Sequence, residues 1–326
     1  MAKQKVIFDT DPGVDDAMAL LFIERCDQLD LLGITSCIGN ADIETTTHNA
    51  LYLKQRFRIA APVAKGAAAP IARPRGKSPG HIHGENGLGN VAVPEALDVA
   101  PDPRPAWQFI VDTVRANPGE VIIIAVGRMT NLALALQHDP GIAGLTKGVV
   151  IMGGAFGING HSGNVTPVAE ANIIGDPEAA DKIMIAPWPV TIIGLDVTHE
   201  TIMTLAYQEK LRDEGGEEGR FMWEITRHYH NFYRDTVGLD GFACHDSLAV
   251  AFVIEPSIFK LRHGQVRVAT EGVAVGQTIQ HHQRRALPGS PWDGHPPQTV
   301  AVAVDSQRFL DLYLDTFRKS ADTRDR

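Results

Sequence analysis

The segment DTDPGVDD places four aspartates, Asp9, Asp11, Asp15 and Asp16, within eight positions. Pro12 and Gly13 make a tight turn that folds the later pair back towards the first. Carboxylates this close repel strongly at neutral pH unless a cation holds them together. Ligation by oxygen alone favours a hard ion, Ca²⁺ or Mg²⁺. The plainer alternative is that Asp15 and Asp16 only complement a helix dipole while Asp9 caps a turn.

His245–Asp246 follows a polar, Gly-rich loop and precedes the apolar run SLAVAFVI. Asp246 can cap that helix or turn outward as a metal ligand. His245 has the side chain whose unperturbed pKa lies nearest neutral, which suits a general acid; read alone, it is a loop histidine. The stretch NVTPVAEAN supplies Asn164, Glu170 and Asn172, donors and acceptors fit for sugar hydroxyls or for ordinary loop turns. Asn40 ends an apolar run and reads as a turn residue. His81 and His83 sit two apart, a spacing for an extended loop, and without clustered thiols they do not suggest zinc. Tyr229 and Tyr233 are one helical turn apart, a spacing that serves core packing or a base-stacking platform.

These residues need elements to carry them. KVIF (residues 5–8) is β-rich and ends on Asp9, and from Asp15 the pattern turns helical through MALLFIER. Further strands are expected at 31–38, 121–126, 148–152 and 190–195, with helices at 44–58, 130–137 and 177–185. Apolar strands alternating with helices indicate a parallel sheet covered on both faces, with ligands outside the strands' carboxyl ends. Residues 65–94 form a long Gly- and Pro-rich loop of the kind that is usually functional. A helix is expected at 220–233, strand signals at 266–304 around a loop at 281–298, and a last helix at 306–318.

A chain of 326 residues can bury a large core, and with no repeat or linker it reads as a single domain over 1–326, fraying from 318. Hydrophobic residues at 44% and charged residues at 21% are those of a globular protein. A net charge of -9 without a basic stripe argues against nucleic acid as partner, and Arg284–Arg285 and Arg324–Arg326 are too short to alter that. Three scattered cysteines, Cys26, Cys37 and Cys244, support neither a disulfide framework nor a thiolate zinc site. With no signal-peptide pattern and no apolar run near the ~20 residues of a membrane span, the expected location is the cytoplasm.

KVIFDTDPGVDDAMAL resembles the N-terminal signature of the inosine-uridine preferring nucleoside hydrolase family. VGRMTNLALAL, VVIMGGAF, NVTPVAEANIIGDPEAA, VTIIGLDVTH and CHDSLAVAFVI resemble its later blocks in order and spacing, so the likeness covers residues 5–305. It implies a single large α/β domain with a mixed, mostly parallel Rossmann-like sheet. It further implies Ca²⁺-dependent hydrolysis of the N-glycosidic bond of ribonucleosides, and assembly as a homodimer or homotetramer. By position, Asp11, Asp16 and Asp246 match the carboxylates that bind Ca²⁺, and Val126 the residue offering a main-chain carbonyl. Asp11 also matches the general base acting on a calcium-bound water, with Asp9 as a supporting acidic group. Asp15 and Asn40 match residues that hold ribose hydroxyls, and Asn164, Glu170 and Asn172 the group around the 5′ side. His245 matches the proton donor to the leaving base and His83 a loop histidine near that base; Tyr229 and Tyr233 are counted with the substrate-binding residues. Ala171 stands where some purine-active relatives carry a bulky aromatic, which leaves the base preference open.

Two other readings compete. A haloacid-dehalogenase-type phosphatase also has two aspartates spaced like Asp9 and Asp11 after a first strand, but its signature lacks the pair that follows Pro12–Gly13. A nucleoside- or pentose-binding protein could keep the metal site without catalysis, although Asp11 beside Asp16 and Asp246 speaks against it.

Overall fold

The computed structural model describes residues 2–282 and 288–324; Arg284–Arg285 and the last two residues of the tail lie outside them. In chain order the strands are β1 (Gln4–Thr10), β2 (Leu29–Ser36), β3 (Val63–Ala64), β4 (Val121–Ala125), β5 (Gly148–Met152), β6 (Val190–Ile193), β7 (Ile202–Thr204), β8 (Gly241–Ala243), β9 (Phe259–Val268), β10 (Thr278–His281) and β11 (Pro297–Val304). Nine of them form one sheet in the order β10-β9-β11-β6-β5-β4-β1-β2-β3, while β7 and β8 pair separately and antiparallel. Every pairing from β3 across to β11 is parallel, and β9 alone runs against its neighbours. The fold is therefore a single α/β domain with a large, mostly parallel sheet.

Strand alternation divides the core cleanly. Val6 and Phe8, Ile124, Val150, Met152 and Ile193 face one side, where the helices Val14–Arg25, Ile43–Phe57, Asp246–Ile254 and Ser306–Arg324 cover them. Ile7, Ile123, Val149, Ile151 and Ile192 face the other, under Ala106–Ala116, Thr130–His138 and Pro177–Ile185. Both faces are buried, which is why these strands read as continuous apolar runs. Local caps fix the helix starts: Asp42 accepts from the Thr45 amide at 2.8 Å, and Asp176, ahead of Pro177, accepts from Ala179 at 3.2 Å.

The chain changes direction across the sheet at β1, with β2 and β3 to one side and β4, β5 and β6 to the other. Such a switch point opens a crevice at the strands' carboxyl ends. β1 runs further than its apolar core suggested, through Asp9 and Thr10, so Asp9 is a strand residue. The helix expected at 220–233 is Gly216–Phe232, followed by a π turn at Tyr233–Val237. The segment 65–94 carries one helical turn, Gly80–His83, and the last helix passes 318 to reach Arg324. Helices Ala106–Ala116 and Leu205–Glu214 and the short strands β3, β7 and β8 were not anticipated, nor was the start of β9 at Phe259. Among the described residues, no helix is long and apolar enough to cross a membrane.

Phe22 joins the first helix to the last, its ring centroid 4.8 Å from that of Tyr313 and 6.4 Å from that of Phe317. Replacing this fully buried ring, Phe22→Ala, should cost about 3–5 kcal/mol in denaturant unfolding, because the site cannot collapse around the lost volume. A loss under about 1 kcal/mol would show that the helix pair is not held there.

Candidate active site

The turn after β1 wraps its own carboxylates in donors. Asp16, in the first turn of helix Val14–Arg25, accepts the Thr10 hydroxyl at 2.5 Å, the Asp11 amide at 3.1 Å and the Gly13 amide at 3.0 Å. Asn40, just beyond β2, donates its side-chain amide to Asp16 at 2.8 Å and its main-chain amide to Asp11 Oδ2 at 2.7 Å. Two glycines crowd the Asp11 carboxylate: a Cβ on Gly39 would lie 1.8 Å from Oδ2, and one on Gly127 2.5 Å from Oδ1. Asp9 lies behind, taking the Thr35 hydroxyl at 2.5 Å and the Asn131 amide at 2.8 Å, in keeping with a supporting acidic group.

Asp246 starts the helix Asp246–Ile254 and reaches the same place from the other side of the crevice. Asp15, Asp16 and Asp246 each bring an oxygen within 4.8 Å of the other two. Asp11, expected as a ligand with Asp16 and Asp246, is not one of these three; its Oδ2 accepts the Asn40 main-chain amide at 2.7 Å. Burial, then the charges of Asp16 and Asp15, raise the Asp11 pKa well above the carboxylate range. Burial, then the other aspartates, do the same to Asp246; burial also raises Asp15 and Asp16, and lifts Asp9 to about 7. Buried acids raised by burial and by one another are poised for a positive charge. Asp11 Oδ1 and Asp15 Oδ1 are buried with no hydrogen-bond partner among the described residues. A donor set of oxygens only, with two unsatisfied, fits a hard divalent cation.

An aromatic wall adjoins the acids. His83 Nδ1 accepts the Val14 amide at 3.3 Å and lies 3.7 Å from Asp15, and its ring is 5.3 Å from that of Tyr229. Tyr229 and Tyr233 hydroxyls are 3.5 Å apart, and Tyr233 meets His245 Nε2 at 2.8 Å. Both tyrosines therefore touch the histidines beside the acids as well as packing in the core. Burial holds His245 well below its ordinary pKa and His83 below its own.

The main-chain carbonyl of Val126, just past β4, accepts the Asn172 side-chain amide at 2.7 Å. Glu170 spends its carboxylate on main-chain amides, those of Asn172 at 2.9 Å, Gly154 at 2.9 Å and Ile173 at 3.1 Å, so it holds Asn172 in place. Asn164 is exposed and caps the Ala171 amide at 3.1 Å; no hydrogen bond among the described residues joins it to the acidic cluster. Sequence reasoning missed Thr10, Thr35, Asn131 and Thr198, whose hydroxyls or amides grip Asp16, Asp9 and His245. The available signal was a polar residue at the end of an apolar strand, in FDTD and GLDVTH.

A family model described as inosine-uridine preferring nucleoside hydrolase matches residues 6–311. Uridine nucleosidase 1 of Arabidopsis thaliana is 36% identical over 310 residues, covering 94% of this chain and 91% of the relative. Among solved structures, a plant nucleoside hydrolase superposes with a TM-score of 0.92 at 34% identity, covering 97% of this chain and 99% of that one. A purine-preferring ribonucleoside hydrolase from Gardnerella vaginalis superposes with a TM-score of 0.89 at 33% identity, covering 98% and 100%. The phosphatase reading and the reading as a non-catalytic binder give way to these matches. With its acids, histidines and tyrosines gathered at the switch point of the sheet, the chain belongs to the inosine-uridine preferring nucleoside hydrolase family and is an enzyme that hydrolyses the N-glycosidic bond of ribonucleosides.

Proposed function

We propose that the chain hydrolyses ribonucleosides with the help of a calcium ion, with Asp11 as general base and His245 as acid to the departing nucleobase. The observation that carries this reading is the oxygen-only cluster of Asp15, Asp16 and Asp246, with buried Asp11 tied to Asp16 through Asn40; one oxygen each of Asp11 and Asp15 lacks any hydrogen-bond partner among the described residues. Asp11, Asp16, Asp246 and the Val126 carbonyl would hold the ion. When bound there, calcium supplies charge neutralisation, a grip for vicinal sugar hydroxyls and a lowered pKa for nearby water.

The Asn40 amide fixes Asp11 Oδ2 and leaves Oδ1 free to take a proton from the attacking water. The bond from water oxygen to the anomeric carbon forms as the bond to the base nitrogen breaks, and positive charge grows on the sugar beside the aspartates. Asp15 and Asn40 bind ribose hydroxyls, and Asn164, Glu170 and Asn172 flank the 5′ side, Glu170 by holding Asn172. The base lies against His83, Tyr229 and Tyr233, where His245 Nε2 supplies the proton it leaves with. Three free, buried thiols suit the reducing cytoplasm.

The reading predicts reducing-sugar release from inosine, uridine, cytidine and adenosine with calcium, and its loss in excess chelator. The ranking of the four gives the base preference, on which the relatives divide between uridine and purine. No release from any of them, with calcium bound in a calorimeter, overturns it. Asp11→Asn should lower kcat by about 10²–10⁴-fold at saturating calcium, and unchanged turnover would remove Asp11 from the role of base. Gly39→Ala pushes a methyl into Asp11 Oδ2 and should cost on the order of 10² in kcat with little change in melting temperature. Full activity in that variant would mean that the position of the carboxylate is not critical.

A further inference from the structure

Both ring nitrogens of His245 are engaged. Nε2 lies 2.8 Å from the Tyr233 hydroxyl and Nδ1 lies 2.9 Å from Thr198 Oγ1. Thr198 ends the single turn Leu195–Thr198 that follows β6, is wholly buried, and donates its main-chain amide to the Gly194 carbonyl at 3.1 Å. Its hydroxyl has one hydrogen-bond partner among the described residues, Nδ1 of His245. A buried hydroxyl with one neighbour must donate to it or leave its own proton unsatisfied. The Thr198 proton therefore points at Nδ1, and the proton of the neutral ring sits on Nε2, facing Tyr233.

We propose that Thr198 is the positioning residue of the leaving-group acid: its hydroxyl holds the His245 ring so that Nε2–H is presented to the departing base. This rests on the assignment of His245 as that acid. The χ2 torsion of histidine is broad, so a ring without a fixed partner at Nδ1 can turn Nε2 away. A hydroxyl suits the position because it both gives and accepts. The neutral ring cannot give up its only proton, so the acid form takes a second proton from solvent on Nδ1, and Thr198 Oγ1 rotates to accept it. Transfer of the Nε2 proton to the base nitrogen then leaves a neutral ring protonated on Nδ1. A carboxylate there would hold the ring in its charged form, and a main-chain carbonyl could serve only the Nδ1–H form. Threonine keeps the orientation through the whole transfer and adds no charge.

The test compares two leaving groups. A nucleoside base needs a proton to depart, whereas the 4-nitrophenolate of 4-nitrophenyl riboside departs as a stable anion. Thr198→Val should lower kcat on the fastest nucleoside by about 10- to 100-fold with little change in KM, and leave the nitrophenyl riboside within about twofold. Thr198→Ser, which keeps the hydroxyl, should restore most of the loss. An equal fall on both substrates, or no fall on the nucleoside, overturns the proposal. His245→Ala on the same pair separates it from the reading beneath: loss on the nucleoside alone sustains His245 as the acid, and any other pattern removes both assignments. Nitrogen-15 spectra of the unaltered enzyme give an independent check if the valine variant does not fold. The ring of His245 should carry its proton on Nε2, and a proton on Nδ1 alone overturns the proposal.

Discussion

The carboxyl end of the sheet is organised by one electrostatic constraint: aspartates of like charge must sit together out of water. Asp9, Asp11, Asp16 and Asp246 are all buried, and Asp15 stands half-buried among them. Water would solvate each one if the chain were unfolded, so folding must replace that solvation or leave the acids protonated. Part of the replacement is built in. Thr10, Gly13 and Asn40 serve Asp16, and Thr35 and Asn131 serve Asp9. The remainder, at Asp9 Oδ2, Asp11 Oδ1 and Asp15 Oδ1, has no hydrogen-bond partner among the described residues, a deficit of the kind that a bound cation relieves.

The same constraint explains why the surrounding backbone is so close. Asp11 is approached by residues 39 and 127, from beyond β2 and β4, and only glycine permits those distances. The strands behind them are fixed by side chains packed on both faces, so the carboxylates rest on the stiff part of the fold and not on its loops. A shift of β4 against β1 would move Val126 and its carbonyl relative to Asp9, to which the Val126 amide donates at 2.8 Å. The site and the centre of the sheet are thus one mechanical unit.

What the sequence disclosed follows from this arrangement. Strands buried on both faces are written as short apolar runs, so β1, β4, β5 and β6 were legible, as was the acidic turn that interrupts the first helix's approach. Antiparallel β9 is partly exposed on both faces over its first half and mixes Lys260, Arg262 and His263 into its run, which blurred its start. Helix Ala106–Ala116 is amphipathic but follows a Pro-rich approach that masks its boundary. Second-layer partners were the least legible, because a lone threonine such as Thr198 gains its meaning only when β6 and the His245 loop meet in space. The same holds for Glu170, whose carboxylate suggested sugar binding until its three main-chain donors were visible.

The site has two poles, and their separation follows the polarity of the proposed reaction. On one side are carboxylates, raised by burial and mutual repulsion, that favour any positive charge placed among them. On the other are His83, Tyr229, Tyr233 and His245, flat or neutral side chains in which burial keeps the imidazoles uncharged. Under the proposed reaction, a substrate whose sugar gains positive charge while its base leaves with electrons would lie across that boundary with its sugar at the acids. Asp15 lies at the border, with an oxygen within 4.8 Å of those of Asp16 and Asp246 and 3.7 Å from His83. Placing the sugar at the acids and the base at the rings lets one set of buried groups pull the bond apart from both ends, and the protein need only hold the two poles at a fixed distance, which the central strands already do.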